Sequence, residues 1–274
     1  MEELLANPAI QGGVAPFIVA LIIALIFIRV NLIAGLVVVA GFSTVILLTT
    51  GFSFSPLSST RKITLLVLLI PIFAIILQLS GKYSESIIKF CYSLAALAVV
   101  WLMWPVLNRN PFEEIIPVLS YMIYASWMVA MFMRMSELPA YTAGTAATAT
   151  GIAIGGSAVI GASGLYGQLG MSLGAASGAF LLLQLISRRT ADAGLTFTMS
   201  SGLVAALLLP AAIVYSKVPW IVMPLVALIP LMAMYSFSDE ECIWKNTISL
   251  LAIMALPIGV ALYITWQTAG ALLL

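Results

Sequence analysis

Apolar residues fall in long unbroken blocks along this chain, and nearly every charged residue sits in the short gaps between them. Ten such blocks run over approximately 14–30, 32–50, 62–80, 88–107, 115–133, 141–161, 165–186, 194–215, 218–236 and 246–269. A helix needs about 20 mainly apolar residues to cross about 30 Å of hydrocarbon, and the blocks are close to that length. Inside a bilayer the backbone must satisfy its own hydrogen bonds, which leaves helices or a closed barrel. Barrel strands alternate apolar and polar side chains. These blocks do not alternate. The pattern predicts an all-α polytopic bundle of about ten transmembrane helices, a single membrane domain over 1–274 with the lipid bilayer as its first partner.

The gaps hold Arg29, Arg61 and Lys62, Lys82 to Lys89, Arg109 to Glu114, Arg134 to Glu137, Arg188 to Asp192, Lys217, and Asp239 to Lys245. All are short, so no soluble catalytic domain is expected between spans. Lys and Arg counted on alternate sides give seven on one (Arg29, Lys82, Lys89, Arg134, Arg188, Arg189, Lys245) and four on the other (Arg61, Lys62, Arg109, Lys217). The richer side is expected to be cytoplasmic, which places both termini outside the cytoplasm of a prokaryotic inner membrane. The acidic start Met1-Glu2-Glu3 does not resemble a cleaved signal peptide, so residues 15–30 read as a retained first span.

Sliding the chain by 159 residues brings Ala20, Arg29, Ala34, Gly35, Leu36, Val45, Leu48, Leu66, Val67, Leu69, Ile70, Pro71 and Ala74 onto identical residues. That is 13 identities over 55 positions, where chance in so biased a composition gives about five or six. At offset 156 Glu85, Ile87, Lys89, Ser93, Leu94 and Ala96 meet Glu241, Ile243, Lys245, Ser249, Leu250 and Ala252. The matches predict a duplication of 14–107 as 165–269, with 108–164 as a linking pair of helices. An even number of spans separates equivalent points, so the copies should run parallel about an axis along the membrane normal.

The repeat points to candidate positions. Pro71 and Pro230 interrupt matched spans, and a mid-helix proline frees a carbonyl that a solute or ion could use. A kink satisfied by neighbouring helices is the competing reading. Gly35 and Gly194 are likewise matched. Residues 141–180 are largely Gly, Ala, Ser and Thr, with Ala147, Gly151 and Gly155 spaced by four and Gly170, Gly174 and Gly178 likewise. Small residues four apart let another backbone approach closely. The hydroxyls of Thr142, Thr145, Thr148, Thr150 and Ser157 could also line a polar path. Glu85 with Lys89, and Glu241 with Lys245, open matched spans at a spacing that shares one helix face. With Arg29 and Arg188 they read as interfacial anchors or gate residues, and Arg134 with Glu137 as an interfacial pair. Gln78 and Gln184 are expected to reach the interface.

Composition narrows the chemistry. Hydrophobic residues make up 63% and charged residues 8%, against about 25% charged in a soluble domain. Net charge is +1 without a basic run longer than two, which argues against nucleic acid. Histidine is absent, so histidine-ligated metals and histidine relays are excluded. The cysteines, Cys91 and Cys242, stand far apart without a metal or redox spacing. Gly161-Ala162-Ser163-Gly164 spells a rhomboid-like GxSG, yet that chemistry needs a base that is missing. Asn7-Pro8-Ala9 spells an aquaporin-like NPA once, in a polar tail. No catalytic residue, metal site or cofactor is expected, and the chain is not expected to be an enzyme. Two functions remain: a transporter or permease for a small neutral or weakly polar solute, or a non-catalytic subunit of a larger membrane complex. A homo-oligomer or other membrane subunits are the partners these readings imply. A lesser third reading is an enzyme or carrier for lipid substrates, using Arg109, Glu113 and Glu114.

Overall fold

A computed structural model describes residues 7–27, 33–80, 85–108, 115–187, 192–234 and 243–270, of which 89% are helical and none lies in a strand. Among the described residues the α-helices are α1 (Ala15–Phe27), α2 (Gly35–Thr49), α3 (Ser59–Leu79), α4 (Glu85–Leu107), α5 (Ile115–Arg134), α6 (Ala140–Ile160), α7 (Gly164–Ser187), α8 (Leu195–Tyr215), α9 (Val222–Met234) and α10 (Ile243–Gly270). Seven of them, α3 to α8 and α10, are long and apolar enough to cross a membrane. The other three are shorter apolar helices, α1 being extended at its start by a π-helical turn, Ile10–Val14.

Local chemistry marks the helix ends. Ser58 Oγ accepts the Arg61 amide at 3.5 Å and starts α3. Gly51 leaves α2 at φ +67, a conformation glycine adopts without steric cost. Gly194 precedes α8 at φ 76, ψ 150, a region open essentially to glycine alone.

Contacts sort the helix ends onto two faces. On the first, Gln168 Nε2 donates to Gln11 Oε1 at 3.1 Å, Gln11 Nε2 to the Leu48 carbonyl at 3.5 Å, and Ser59 shares a 2.7 Å hydrogen bond with Tyr215. The start of α1, the end of α2, and the starts of α3 and α7 therefore lie together with the end of α8. On the second face an isolated bridge pairs Pro139 with Asp192, and the Ala193 amide donates to Leu138 at 3.0 Å. This joins the α5–α6 turn to the start of α8.

Lipid offers no hydrophobic drive between helices, so close fit decides which of them pack centrally. The helices built from small residues take the middle. α6 and α7 form the most intimate pair, and α8 packs on both of them and on α2, α3, α4 and α5. The most apolar window of α8 is 89% buried, against 28% in α10. α1 and α2 flank α7, while α9 and α10 flank α6. Outward positions are large and apolar: Ile22 and Ile26 on α1, Leu69 and Ile76 on α3, Leu97 and Trp104 on α4, Ile116 and Ile123 on α5, Leu256 and Trp266 on α10. Polar side chains inside and aliphatic ones outside is the arrangement a hydrocarbon solvent selects. The chain is thus a helical, multi-pass membrane bundle.

Candidate functional site

Prolines set the first question, because each one removes a helical hydrogen bond. Pro71 and Pro230 are both buried, but on helices with different neighbours: α3 packs on α8 and α2, α9 on α10, α6 and α5. Beside Pro230 the loosened stretch is met from outside α9, where Trp127 Nε1 of α5 donates to the Ala227 carbonyl at 3.0 Å. A third proline, Pro105 in α4, deprives the Trp101 carbonyl of its partner. Lys62 Nζ donates to that carbonyl at 2.8 Å and lies 5.1 Å from the Trp101 ring centroid. Lys62 is only 6% exposed. Its burial was not legible in the sequence, where it stands in a gap as an ordinary interfacial cation.

The small-residue faces of α6 and α7 meet backbone to backbone. A methyl group on Gly151 would come within 2.6 Å of Gly174 Cα, and one on Gly155 within 2.9 Å of the Gly170 carbonyl carbon. Thr148, on the same helix, is half-buried and donates its hydroxyl to the Gly144 carbonyl at 2.7 Å. Gly35 and Gly194, matched in sequence, both stand at helix starts that touch. The Gly35 amide donates to Thr196 Oγ1 at 3.4 Å, and a methyl on Gly35 would lie 2.7 Å from the Thr196 carbonyl carbon.

Hydroxyls in helices commonly bond to the carbonyl four residues back, as Thr145 does to Tyr141 and Thr198 to Gly194. Others in the centre do not. Thr150 and Ser157 on α6, Ser177 and Gln184 on α7, and Ser200 and Ser201 on α8 each bury a side-chain oxygen without a hydrogen-bond partner. At about 1.5 Å of rise per residue they spread inward from the second face. Gln184 lies about 5 Å from its helix end, Ser200 and Ser201 about 8–9 Å, Thr150 and Ser177 about 15 Å, and Ser157 about 25 Å. Gln184 is 5% exposed and does not reach the interface as expected; the packing of α7 against α8 turns it inward. Gln78 Oε1 is buried likewise.

Charged residues gather on the second face. Glu85 and Lys89 sit one turn apart at the start of α4 with 3.4 Å between Oε2 and Nζ, both well exposed. They line a cavity of about 520 Å³ together with Tyr92, Arg134, Ser136 and Glu137. Their convergence with Arg134 and Glu137 follows from the packing of α4 on α5 and was not foreseen. Lys245 is exposed in the first turn of α10, beside the buried Asn246, whose Nδ2 donates to Tyr141 Oη at 3.4 Å. Arg29, Arg188 and Glu241 lie outside the described residues, as do Arg109, Glu113 and Glu114, and Cys242; Cys91 is buried and free.

A second, apolar crevice of about 240 Å³ lies among α3, α4, α5 and α8, lined among others by Ile70, Phe73, Cys91, Ala95, Val129 and Met199. This sequence matches no protein-family model and no curated protein.

Proposed function

We propose that this chain is a transporter or permease for a small neutral or weakly polar solute, crossing the membrane ten times. The observation that carries the reading is the set of unpartnered oxygens on α6, α7 and α8. Leaving a buried polar atom without a partner costs about 1–3 kcal/mol. A bundle that keeps six such atoms along its three central helices has them available for water or solute. Their range of depths supports a path from the second face inward. The contact between the Gly35 and Gly194 helix starts supports a like orientation for α2 and α8, as a parallel duplication requires. The copies have diverged in setting, since α8 occupies the centre and α2 a flank. The sequence count of Lys and Arg, seven against four, assigns the side of Lys89, Arg134 and Lys245 to the cytoplasm. Pro71 and Pro230 remain candidates for loosening α3 and α9 during the cycle. Gly151 and Gly155 would set the close contact beside that path, with Thr148 near it.

The test is flux of small uncharged solutes, followed by light scattering, into liposomes containing the purified protein. Thr150→Val keeps the side-chain shape and Ser200→Ala adds no atoms, and each removes a hydroxyl. Each is expected to lower flux at least tenfold without altering helix content or size-exclusion behaviour. Flux no greater than in protein-free liposomes would overturn the proposal. One observation favours the alternative, a non-catalytic subunit of a larger complex: the backbone interlock of Gly151 with Gly174 and of Gly155 with Gly170 makes the centre solid. Stoichiometric co-purification with other membrane proteins, joined to absent flux, would select it.

A further inference from the structure

We infer that the cavity and the crevice on the α4–α5–α8 side form one continuous site for a glycerophospholipid of the leaflet at the second face. Its headgroup, carrying both a phosphate and an ammonium, would sit among Glu85, Lys89, Arg134 and Glu137, with one acyl chain in the crevice.

The two cavities share three helices, α4, α5 and α8, with the crevice deeper along each and bounded by α3 as well. On α4 the polar one is lined by Glu85, Lys89 and Tyr92 and the apolar one by Cys91, Ala95 and Ala98. On α5 the order is Arg134 and Met133, then Val129; on α8 it is Leu195, then Met199 and Leu203. On α4 and α5 charged residues give way to apolar ones, while on α8 the lining is apolar throughout. From Glu85 to Ala98 the helix rises about 20 Å. One leaflet, half of a bilayer of about 40–45 Å with its headgroups, has the same depth. The site is as deep as a lipid is long.

The crevice has a physical cause. α3 and α4 barely touch each other, because each packs elsewhere, α3 on α8 and α4 on α5. Cys91, Ala95 and Ala98 present short side chains to the resulting slot, which Met199 and Leu203 of α8 floor. Its mouth is flanked by Leu69 and Leu94, both exposed where hydrocarbon would lie. A free acyl chain can enter sideways. The charges above it are two of each sign, Lys89 and Arg134 against Glu85 and Glu137. Cationic donors suit a phosphate oxygen, and a carboxylate suits an ammonium. A headgroup with both charges therefore matches the vestibule better than one carrying a phosphate alone.

The experiment uses the full chain in nanodiscs containing phosphatidylethanolamine with a photoactivatable diazirine in one acyl chain, and phosphatidylglycerol bearing the same tail as comparison. Crosslinks to the ethanolamine lipid are expected to concentrate on residues 66–73, 91–98 and 199–203, at least fivefold above those on the exposed apolar faces of α1 and α10. Leu69→Trp, a change at an exposed rim position, should cut them at least fivefold. Glu137→Gln should reduce capture of the ethanolamine lipid but not of the glycerol lipid, and Arg134→Gln should reduce both. These charged positions are exposed, so folding is not at issue. Crosslinks spread evenly over the perimeter, equal capture of both lipids by the unaltered protein, or a dimer joined through α3 and α4 would each overturn the inference. The site stands whether or not solute passes through the bundle.

Discussion

The ammonium of Lys62 takes the place of the amide proton that Pro105 lacks, donating to the Trp101 carbonyl at 2.8 Å while resting over the same residue's indole. One side chain thus repairs a helix it does not belong to and fastens α3 to α4 at the first face. Lys62→Met should leave that carbonyl unpaired and destabilise the protein by about 2 kcal/mol, measured by thermal unfolding in detergent. Adding Pro105→Ala restores the missing amide. The double variant is therefore expected to recover most of the loss, and simple additivity of the two changes would show that the carbonyl is not the point of the contact.

The contact between α6 and α7 makes a graded prediction. A methyl on Gly151 meets backbone at 2.6 Å, one on Gly174 meets backbone no closer than 3.3 Å, and one on Gly178 reaches only the Thr148 side chain at 3.7 Å. Alanine should cost about 1–3 kcal/mol at 151, less at 174, and almost nothing at 178. Gly174→Leu should be far worse than Gly174→Ala, since the longer side chain has no space. Equal melting temperatures across the series would remove the close contact as a source of stability.

Gly194 and Gly35 are expected to be intolerant for different reasons. Alanine at 194 strains the backbone at φ 76, at about 1–3 kcal/mol. Alanine at 35 collides with the Thr196 carbonyl across the helix contact. Suppression should follow the same division. A second-site Thr196 change that shifts the α8 start can relieve Gly35→Ala but not Gly194→Ala, as a stability screen of double variants would reveal.

Removing the unpartnered hydroxyls should separate stability from activity. Ser200→Ala and Ser201→Ala delete atoms that bond to nothing in the bundle. Thermal stability should hold or rise by up to about 1 kcal/mol, while liposome flux falls. A clear loss of stability would mean that these oxygens do have partners.

How far the sequence speaks depends on the range of each interaction. Hydropathy is local, so the helical, apolar character of the described segments was legible, and α2 falls within three residues of its forecast at either end. The Gly151 and Gly155 face was legible for the same reason, because spacing along one helix reveals a groove. Lys62 was not. Its partner lies 39 residues away, and only the approach of the start of α3 to the end of α4 brings a freed carbonyl within reach. Gln184 was misplaced because it stands near a helix end that in isolation would face water. The crowding of α8 against α7 decides otherwise. The vestibule charges come from the start of α4 and from the end of α5 with the turn after it, whose convergence no pattern within either segment records.

Every helix that packs closely on α8 precedes it in the chain, from α2 to α7, whereas α9 and α10 fasten to α5 and α6 instead. During synthesis the socket is complete before its occupant leaves the ribosome. The serine- and threonine-bearing start of α8 can thus pass from the translocation machinery into a prepared protein environment without dwelling in hydrocarbon. A nascent chain halted beyond Tyr215 already holds the whole centre, and the last two helices add only a wall.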